Sequence, residues 1–539
     1  MSAKPQINWL RQPKRESDNV LLEKAITLFG QDRLPEAIAP LERYLGLHPN
    51  HYEAVHLRAE IALKQDDLDG AIKGFTKAIS LQPLKGQTYY NLGIALQQRG
   101  NFNEALRLYD MALDLKHSPN KVLNNRGYIL RKTKRYDEAL ATFNALLEQD
   151  PQFLQAYINR SGTFLRLHRL QEALADCDTA LSIDKNYVDA WFNRGFISSE
   201  ALDYRSAMQS YEEVLKRNPS HWKAKFALSL RSLALADFSN GWQQYEVRFL
   251  ETSLGIKKLN MPIPEWDGTA SIEGKRVLVY FEQGLGDTLQ FCRFVPRLAD
   301  LGAEVWLMVQ PALHTLIESL DPRLNVVSGG QLPVIDFVLP LMSLPRVLQI
   351  NDEQEFGTDC YLSAPAYVVS EWQAALGEKR TPRIGLTWSG NAKHQNDHER
   401  SLSLTTLLPH LPAGLEYVVV QKDLRDEDAA LLANQTTHTI RQLPKEDFAD
   451  TAALCQNLDL VISVDTSVAH LAGAVGCPLW VLLPFNPDWR WQLERCDSPW
   501  YGESRLWRQP NYGDWNGILT ELGQQLQRQF LGGENLAPV

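Results

Sequence analysis

Apolar positions along this 539-residue chain follow two different rhythms. In the first half they recur every 34 residues. Alanine returns at Ala37, Ala71, Ala105, Ala139, Ala173 and Ala207, and a large residue follows four positions later at Leu41, Phe75, Tyr109, Phe143 and Tyr211, with Cys177 in the fifth unit. Upstream, a small residue keeps the same phase at Ala59, Gly93, Gly127, Ser161 and Gly195. Small residues let two helices approach closely, and the bulky residue fills the gap between neighbouring hairpins. Pro49, Pro83, Pro151 and Pro219 mark unit boundaries, because proline cannot continue a helix interior. The chain turns five positions ahead of the alanine, as at Gly100 and Lys134. The pattern predicts an α-solenoid of helical hairpins over residues 18–250, closed by a degenerate unit at Gly241-Trp242-Gln243-Gln244-Tyr245, as a terminal cap should be.

From about residue 275 the rhythm changes. Short β-rich runs at 275–281, 304–309 and 324–327 alternate with helical stretches at 288–301 and 311–320. A second alternating series starts at 382–388 and continues through runs at 417–421, 458–464 and 479–483. Alternating strands and helices predict parallel, doubly wound sheets. The expected organisation is therefore an array over 18–250, a linker at 251–274, one Rossmann-like lobe over 275–370 and a second over 382–530. In such sheets ligands sit beyond the carboxyl ends of the strands, and four motifs fall there.

Gln283-Gly284-Leu285-Gly286-Asp287-Thr288 follows the first strand; two glycines permit a tight turn and close approach to a ligand. It lacks the third glycine of a dinucleotide loop. Val464-Asp465-Thr466-Ser467-Val468-Ala469-His470 ends a strand and starts a helix, whose exposed amides and hydroxyls suit a diphosphate, with His470 one turn in. Trp388-Ser389-Gly390-Asn391-Ala392-Lys393-His394, with Arg400 close behind, supplies cations for a leaving pyrophosphate. Pro484-Phe485-Asn486-Pro487-Asp488-Trp489-Arg490-Trp491 either walls a pocket or packs between lobes. Gln421 and Lys422, at the end of another strand, are candidates for reading the base. Each has a plainer reading: Asp287, Thr466 and Ser467 as helix caps, His470 as a core histidine, the 388–401 stretch as a solvated loop.

A formal net charge of −10 and a pI near 5.7 argue against a nucleic-acid binder, which would show a basic stripe. No apolar segment follows the first six residues, so no secretory signal is expected, and no run approaches the roughly 20 residues of a membrane span. The six cysteines form no CxxC pair, which excludes the usual zinc spacings and points to a reducing, cytoplasmic location.

The 34-residue signature resembles the tetratricopeptide family. That likeness implies a superhelix whose concave groove takes an extended peptide or protein. Asn91, Asn125, Asn159 and Asn193 repeat in register on the first helix of each unit and are the candidate acceptor-binding ladder; the other reading is that they hydrogen-bond between helices. Repeat arrays bind partners and do no chemistry, so this half supplies recognition.

The four motifs together resemble the family 9 glycosyltransferases, the heptosyltransferase-like group of the GT-B fold, across residues 275–530. Asp465-Thr466-Ser467-Val468-Ala469-His470-Leu471-Ala472 follows that family's Asp-Thr-Gly-x-x-His-Leu-Ala pattern, with Ser467 in place of glycine. The resemblance implies that this stretch holds the sugar nucleotide, that Gly286-Asp287 matches the family's early Gly-Asp with the aspartate as base, and that Lys393 or Arg400 contacts phosphate. Ser467 narrows the space beside the donor, so an ADP-heptose is not implied. Fusion to repeats is similar to the O-GlcNAc transferase design and to bacterial flagellin glycosyltransferases, which implies a protein acceptor, flagellin or another surface protein. The expectation is an inverting transfer from a nucleotide sugar, with no metal and no further cofactor. Two other readings stand beside it. One is a non-catalytic scaffold with a degenerate transferase half. The other is a lipopolysaccharide-type transferase, which would call for a basic amphipathic stretch that the sequence does not show.

Overall fold

The computed structural model describes residues 18–250, 255–392 and 396–532. Lys393 lies outside the described residues. The chain divides into two compact units, residues 1–197 and 198–539.

The first unit is an α-solenoid of antiparallel helix pairs, from Asp18–Gly30 with Leu34–Leu47 to Leu154–Arg166 with Leu170–Ile183. The periodic alanines are fully buried. A Cβ on Gly93 or Gly127 would come within 2.5 Å of the ring of Tyr109 or Phe143, so the large residue of each unit dictates the small one opposite. Between paired helices one residue adopts the left-handed conformation in strict register, at Asp32, Asp66, Gly100, Lys134 and His168. Glycine alone takes that conformation without a Cβ penalty. The other four turns hold it because packing of the flanking helices demands it.

The second unit opens with helices that keep the repeat register, Tyr204–Arg217, Trp222–Ala234 and Phe238–Tyr245, followed by a 3-10 turn at Glu246–Leu250. Two wholly parallel sheets come next. The first contains β1 (Arg276–Tyr280), β2 (Glu304–Met308), β3 (Asn325–Val327) and β4 (Phe337–Pro340), in the order β3-β2-β1-β4. The second contains β5 (Arg383–Thr387), β6 (Glu416–Val419), β7 (Thr439–Gln442), β8 (Leu460–Val464), β9 (Leu479–Leu483) and β10 (Ser504–Arg508), in the order β10-β9-β8-β5-β6-β7. Counted from β5, that is the 3-2-1-4-5-6 order of dinucleotide-type sheets, and the first sheet has its first four places. The chain reverses direction across the sheet between β1 and β4 and between β5 and β8. In open sheets of this order, ligands sit beyond the strand ends at such a reversal.

The sequence reading does not mark β4, β7 and β10, although β4 is an apolar run of four residues. All three are edge strands, and β7 and β10 carry polar side chains toward solvent. The helix expected at 288–301 starts earlier and breaks into Leu285–Phe291, a 3-10 turn at Cys292–Phe294 and Pro296–Asp300. Pro296, with no amide hydrogen to donate, begins the last piece. The early start matters, because it places Gly286 and Asp287 inside the helix's first turn. One hydrophobic core runs from the helices of the terminal repeat through both lobes, joining Trp242 and Tyr245 to Phe291, Trp489 and Trp500. Among the described residues no helix is long and apolar enough to cross a membrane.

Candidate active site

The β1 strand delivers its loop to the start of the Leu285–Phe291 helix, where Gly284 is extended (φ −70°, ψ 172°). Its amide donates to Asp287 Oδ2 at 2.8 Å, so the N-cap is Gly284 and Asp287 closes the helix start from the third helical position. Its other oxygen, Oδ1, accepts from Arg490 Nη2 at 2.5 Å. The carboxylate is not sealed off, since 22% of the side chain stays exposed. Burial pushes this carboxyl above the ordinary aspartate range, against the opposing pull of the Arg490 guanidinium.

In the second lobe the motifs after β5 and β8 flank the sheet's reversal point. Thr466 precedes the Ser467–Ala474 helix in an extended conformation, and its side chain makes no capping bond, so it does not occupy the first-turn amides. Burial, reinforced by the nearby Asp488 charge, pushes the Asp465 carboxyl up to about 6. Arg400 crosses the reversal point and donates from Nη1 to the Asp465 carbonyl at 2.9 Å. Gly390 is required beneath it: a Cβ there would lie 2.8 Å from Arg400 Nη2 and 2.8 Å from Asp397 Oδ1. Ser389 and Gln421 brace the same loops. The Gln421 side-chain oxygen accepts from the amides of Trp388 (2.9 Å) and Ser389 (3.3 Å), and its nitrogen donates to Ser389 Oγ at 3.1 Å. Asn391 is exposed at the loop's edge. Lys422 points elsewhere, donating to the Glu446 carbonyl at 2.8 Å.

The two lobes touch where the two helix starts meet. A Cβ on Gly286 would come 2.9 Å from His470 Cδ2 and 3.4 Å from Ser467 Cα, so the absent side chain of Gly286 is what lets the lobes close. His470 is buried, with Nδ1 2.9 Å from the Tyr501 hydroxyl and its ring stacked on Trp491 at 5.5 Å. Burial, with Arg490, Arg293 and Arg400 nearby, holds it far below the ordinary histidine range, and it is neutral at physiological pH. The structure thus brings Gly286, Asp287, Ser389, Gly390, Arg400, Asp465, Thr466, Ser467 and His470 to the strand ends of two facing lobes.

Sequence reasoning passed over Arg490, Tyr245 and Tyr501. Arg490 lies in the aromatic stretch after β9, where Trp489 packs against Trp242, Phe291 and Trp500. An arginine between two tryptophans beyond a buried strand was the available signal. The asparagine ladder is half-buried and turns toward neighbouring first helices: Asn91 donates to Glu60 Oε1 (2.9 Å), Asn125 to the Tyr90 hydroxyl (3.2 Å) and Asn159 to Asn124 Oδ1 (2.8 Å). Asn193 occupies the same register in Val188–Glu200 and is also half-buried.

Models of the tetratricopeptide repeat match residues 22–85, 90–152, 135–188 and 188–221, and the model described as glycosyltransferase family 9 (heptosyltransferase) matches residues 418–482. The N-terminal region is therefore built of tetratricopeptide repeats, and the stretch of the second lobe that includes Asp465 to His470 is similar to glycosyltransferase family 9. Among curated proteins, Protein FlbA of Caulobacter vibrioides is 27% identical over 330 residues, covering 56% of this chain and 54% of FlbA. The chain thus spans about half the length of the curated relative it matches. Similar solved structures include PilW, a widely conserved type IV pilus biogenesis factor (22% identity, TM-score 0.36, 40% of this chain and 99% of that one). Another is MamA from Desulfovibrio magneticus RS-1 (19% identity, TM-score 0.29, 32% of this chain and 96% of that one).

Proposed function

We propose that this chain is a GT-B glycosyltransferase that moves a sugar from a nucleotide-sugar donor to a protein acceptor engaged by the repeats, with inversion and without a metal ion. The observation that carries the reading is the meeting of two elements at Gly286: the Asp287 carboxylate of the first lobe and the uncapped helix start at Thr466-Ser467 of the second. A base and an anion-binding helix start on opposite sides of one contact are what an in-line displacement needs.

In this mechanism Asp287 takes the proton of an acceptor hydroxyl while that oxygen attacks the anomeric carbon. The bond to the diphosphate oxygen breaks on the opposite face, and the proton ends on Asp287. Burial raises the proton affinity of that carboxylate and so strengthens it as a base. The charge of the departing diphosphate is met by the Ser467 and Val468 amides at the helix start and by Arg400, and Lys393, seven positions before it in the sequence, is a further candidate cation. Such cations do the work that a divalent ion does elsewhere, which is the basis for proposing metal independence. Asp465, with a carboxyl pushed up to about 6, carries less charge against an incoming phosphate than an ordinary aspartate would. The candidate partner class is a protein, with flagellin or another surface protein as the first acceptors to try. Six unpaired cysteines favour the cytoplasm as its location.

Thermal-shift screening of nucleotides and nucleotide sugars identifies the donor, since a ligand that binds the native state raises its melting temperature. With that donor, Asp287→Ala is expected to abolish transfer to co-expressed acceptors, scored by mass spectrometry, while nucleotide binding stays within a few fold. Full transfer by Asp287→Ala removes the base assignment. Binding of none of the nucleotide sugars favours the scaffold reading instead, in which Asp287 serves only to close its helix start.

A further inference from the structure

Arg490 is 8% exposed and comes from the loop after β9, yet two of the three groups its guanidinium bonds belong to the other lobe. Nε donates to Gln290 Oε1 at 2.6 Å, Nη2 to Asp287 Oδ1 at 2.5 Å, and Nη1 to Asp488 Oδ1 at 2.9 Å. Asp287 and Gln290 stand three residues apart and so share one face of the helix. The fork is planar, its acceptors lie on two lobes, and the Trp489 ring (4.4 Å) and Phe291 ring (5.7 Å) flank it. A lysine could carry the charge, but its donors sit on one nitrogen and do not reproduce the planar fork that spans both lobes.

We propose that Arg490 is the positioning residue of this site, holding the Asp287 carboxylate in its charged form and in a single orientation. The inference rests on the reading of Asp287 as the base. With Gly284 N on Oδ2 and Arg490 Nη2 on Oδ1, each carboxylate oxygen is held by one donor, which fixes the carboxylate's orientation and leaves each oxygen a lone pair for an acceptor hydroxyl.

The surrounding charges make Arg490 the decisive one. Asp488 beside it and Glu282 at the end of β1 are acidic and favour a protonated Asp287. Tyr245 on the Phe238–Tyr245 helix and His470 behind Gly286 are neutral at physiological pH. Asp465, across the contact, adds no positive charge. Arg248 is already matched by Glu246 and Glu282. Among the described residues, Arg490 is thus the cation that offsets the burial of Asp287.

The test titrates Asp287 directly in the full chain, with no substrate needed. The carboxylic-acid carbonyl band present in the native chain and absent from Asp287→Asn reports that one group by infrared difference spectroscopy. In Arg490→Gln the midpoint of this band moves to higher pH, and in Arg490→Lys it returns toward the native position. Asp488→Asn, which removes a like charge and leaves more of the guanidinium's charge for Asp287, moves it to lower pH. Transfer by Arg490→Gln falls at neutral pH and recovers in part as pH rises, because kcat/KM follows the ionisation of the free base. An unmoved midpoint in Arg490→Gln, or in Asp488→Asn should the first variant fail to fold, overturns the proposal. Loss of the base reading looks different: Asp287→Asn would then retain transfer, whatever the titrations gave.

Discussion

Asp465 shows how far one side chain can be read at each stage. Its place at the end of a strand before a helix was legible in the sequence, because an apolar run followed by Asp-Thr-Ser marks a strand-to-helix turn. What the sequence could not give was its neighbour Asp488, which arrives on a different loop and, with burial, drives the carboxyl up to about 6. Arg490 was hidden for the same reason: its partners Asp287 and Gln290 lie 203 and 200 positions away. A raised carboxyl has a definite sign in stability. The folded state holds this proton more tightly than the unfolded chain, whose aspartate titrates near 3.8, so stability falls as pH rises through the window between that value and about 6. Above the window the cost of the buried charge is fully present. Asp465→Asn should therefore be more stable than the native chain at about pH 7.5 and gain little at about pH 4, measured by thermal melts of both proteins at both values. Equal gains at the two values would mean that the carboxylate is not the source.

At the scale of elements, the repeat helices and the central strands were legible because each carries its own periodicity, while edge strands such as β7 and β10 were not, since β7 has no buried residue and β10 only two. The pair of helix starts at Gly286 belongs to neither class. The sequence shows a glycine-rich loop and suggests an approaching ligand, whereas in the fold it is a helix of the same chain that approaches. A methyl group at 286 would meet the His470 ring at 2.9 Å, and that ring cannot yield, being stacked on Trp491 and bonded to Tyr501. Gly286→Ala is expected to cost about 1–3 kcal/mol, the usual range for overpacking a tight contact. It should also weaken nucleotide binding, because the helix start at Ser467 is pushed from the strand ends of the first lobe. Denaturant unfolding and calorimetry with the identified nucleotide check the two effects separately. A stable variant with native affinity would show that the contact can open without consequence.

Across the whole molecule, the repeat that closes the array has been taken over by the α/β half. Tyr245 sits in the large-residue position of the 34-residue pattern, in phase with Tyr211, yet its hydroxyl accepts a bond from Gln283 Nε2 at 3.0 Å, on the loop just before the helix that carries Asp287. Trp242, also in that unit, donates from its indole nitrogen to the Ile350 carbonyl at 2.9 Å. Just beyond, Arg248 and Glu282 form an ion pair at 2.8 Å with neither side chain exposed, and Arg248 also donates to Ser343 Oγ. The degenerate unit read from the sequence as a cap is therefore part of the first lobe's core, within the compact unit that starts at residue 198. Breaking a buried ion pair from one side leaves an uncompensated charge, which costs about 3–5 kcal/mol. Arg248→Met should destabilise the 198–539 unit by that order, since it strands Glu282, whose carboxyl burial already pushes upward. Adding Glu282→Gln should restore most of the loss, because the stranded charge is then gone. The same reasoning predicts that a fragment of residues 198–539 folds and binds nucleotide, while one of residues 251–539, lacking Arg248 and Trp242, does not. Far-ultraviolet circular dichroism and thermal shift with nucleotide distinguish the outcomes, and a folded 251–539 fragment would return the last repeat to the array.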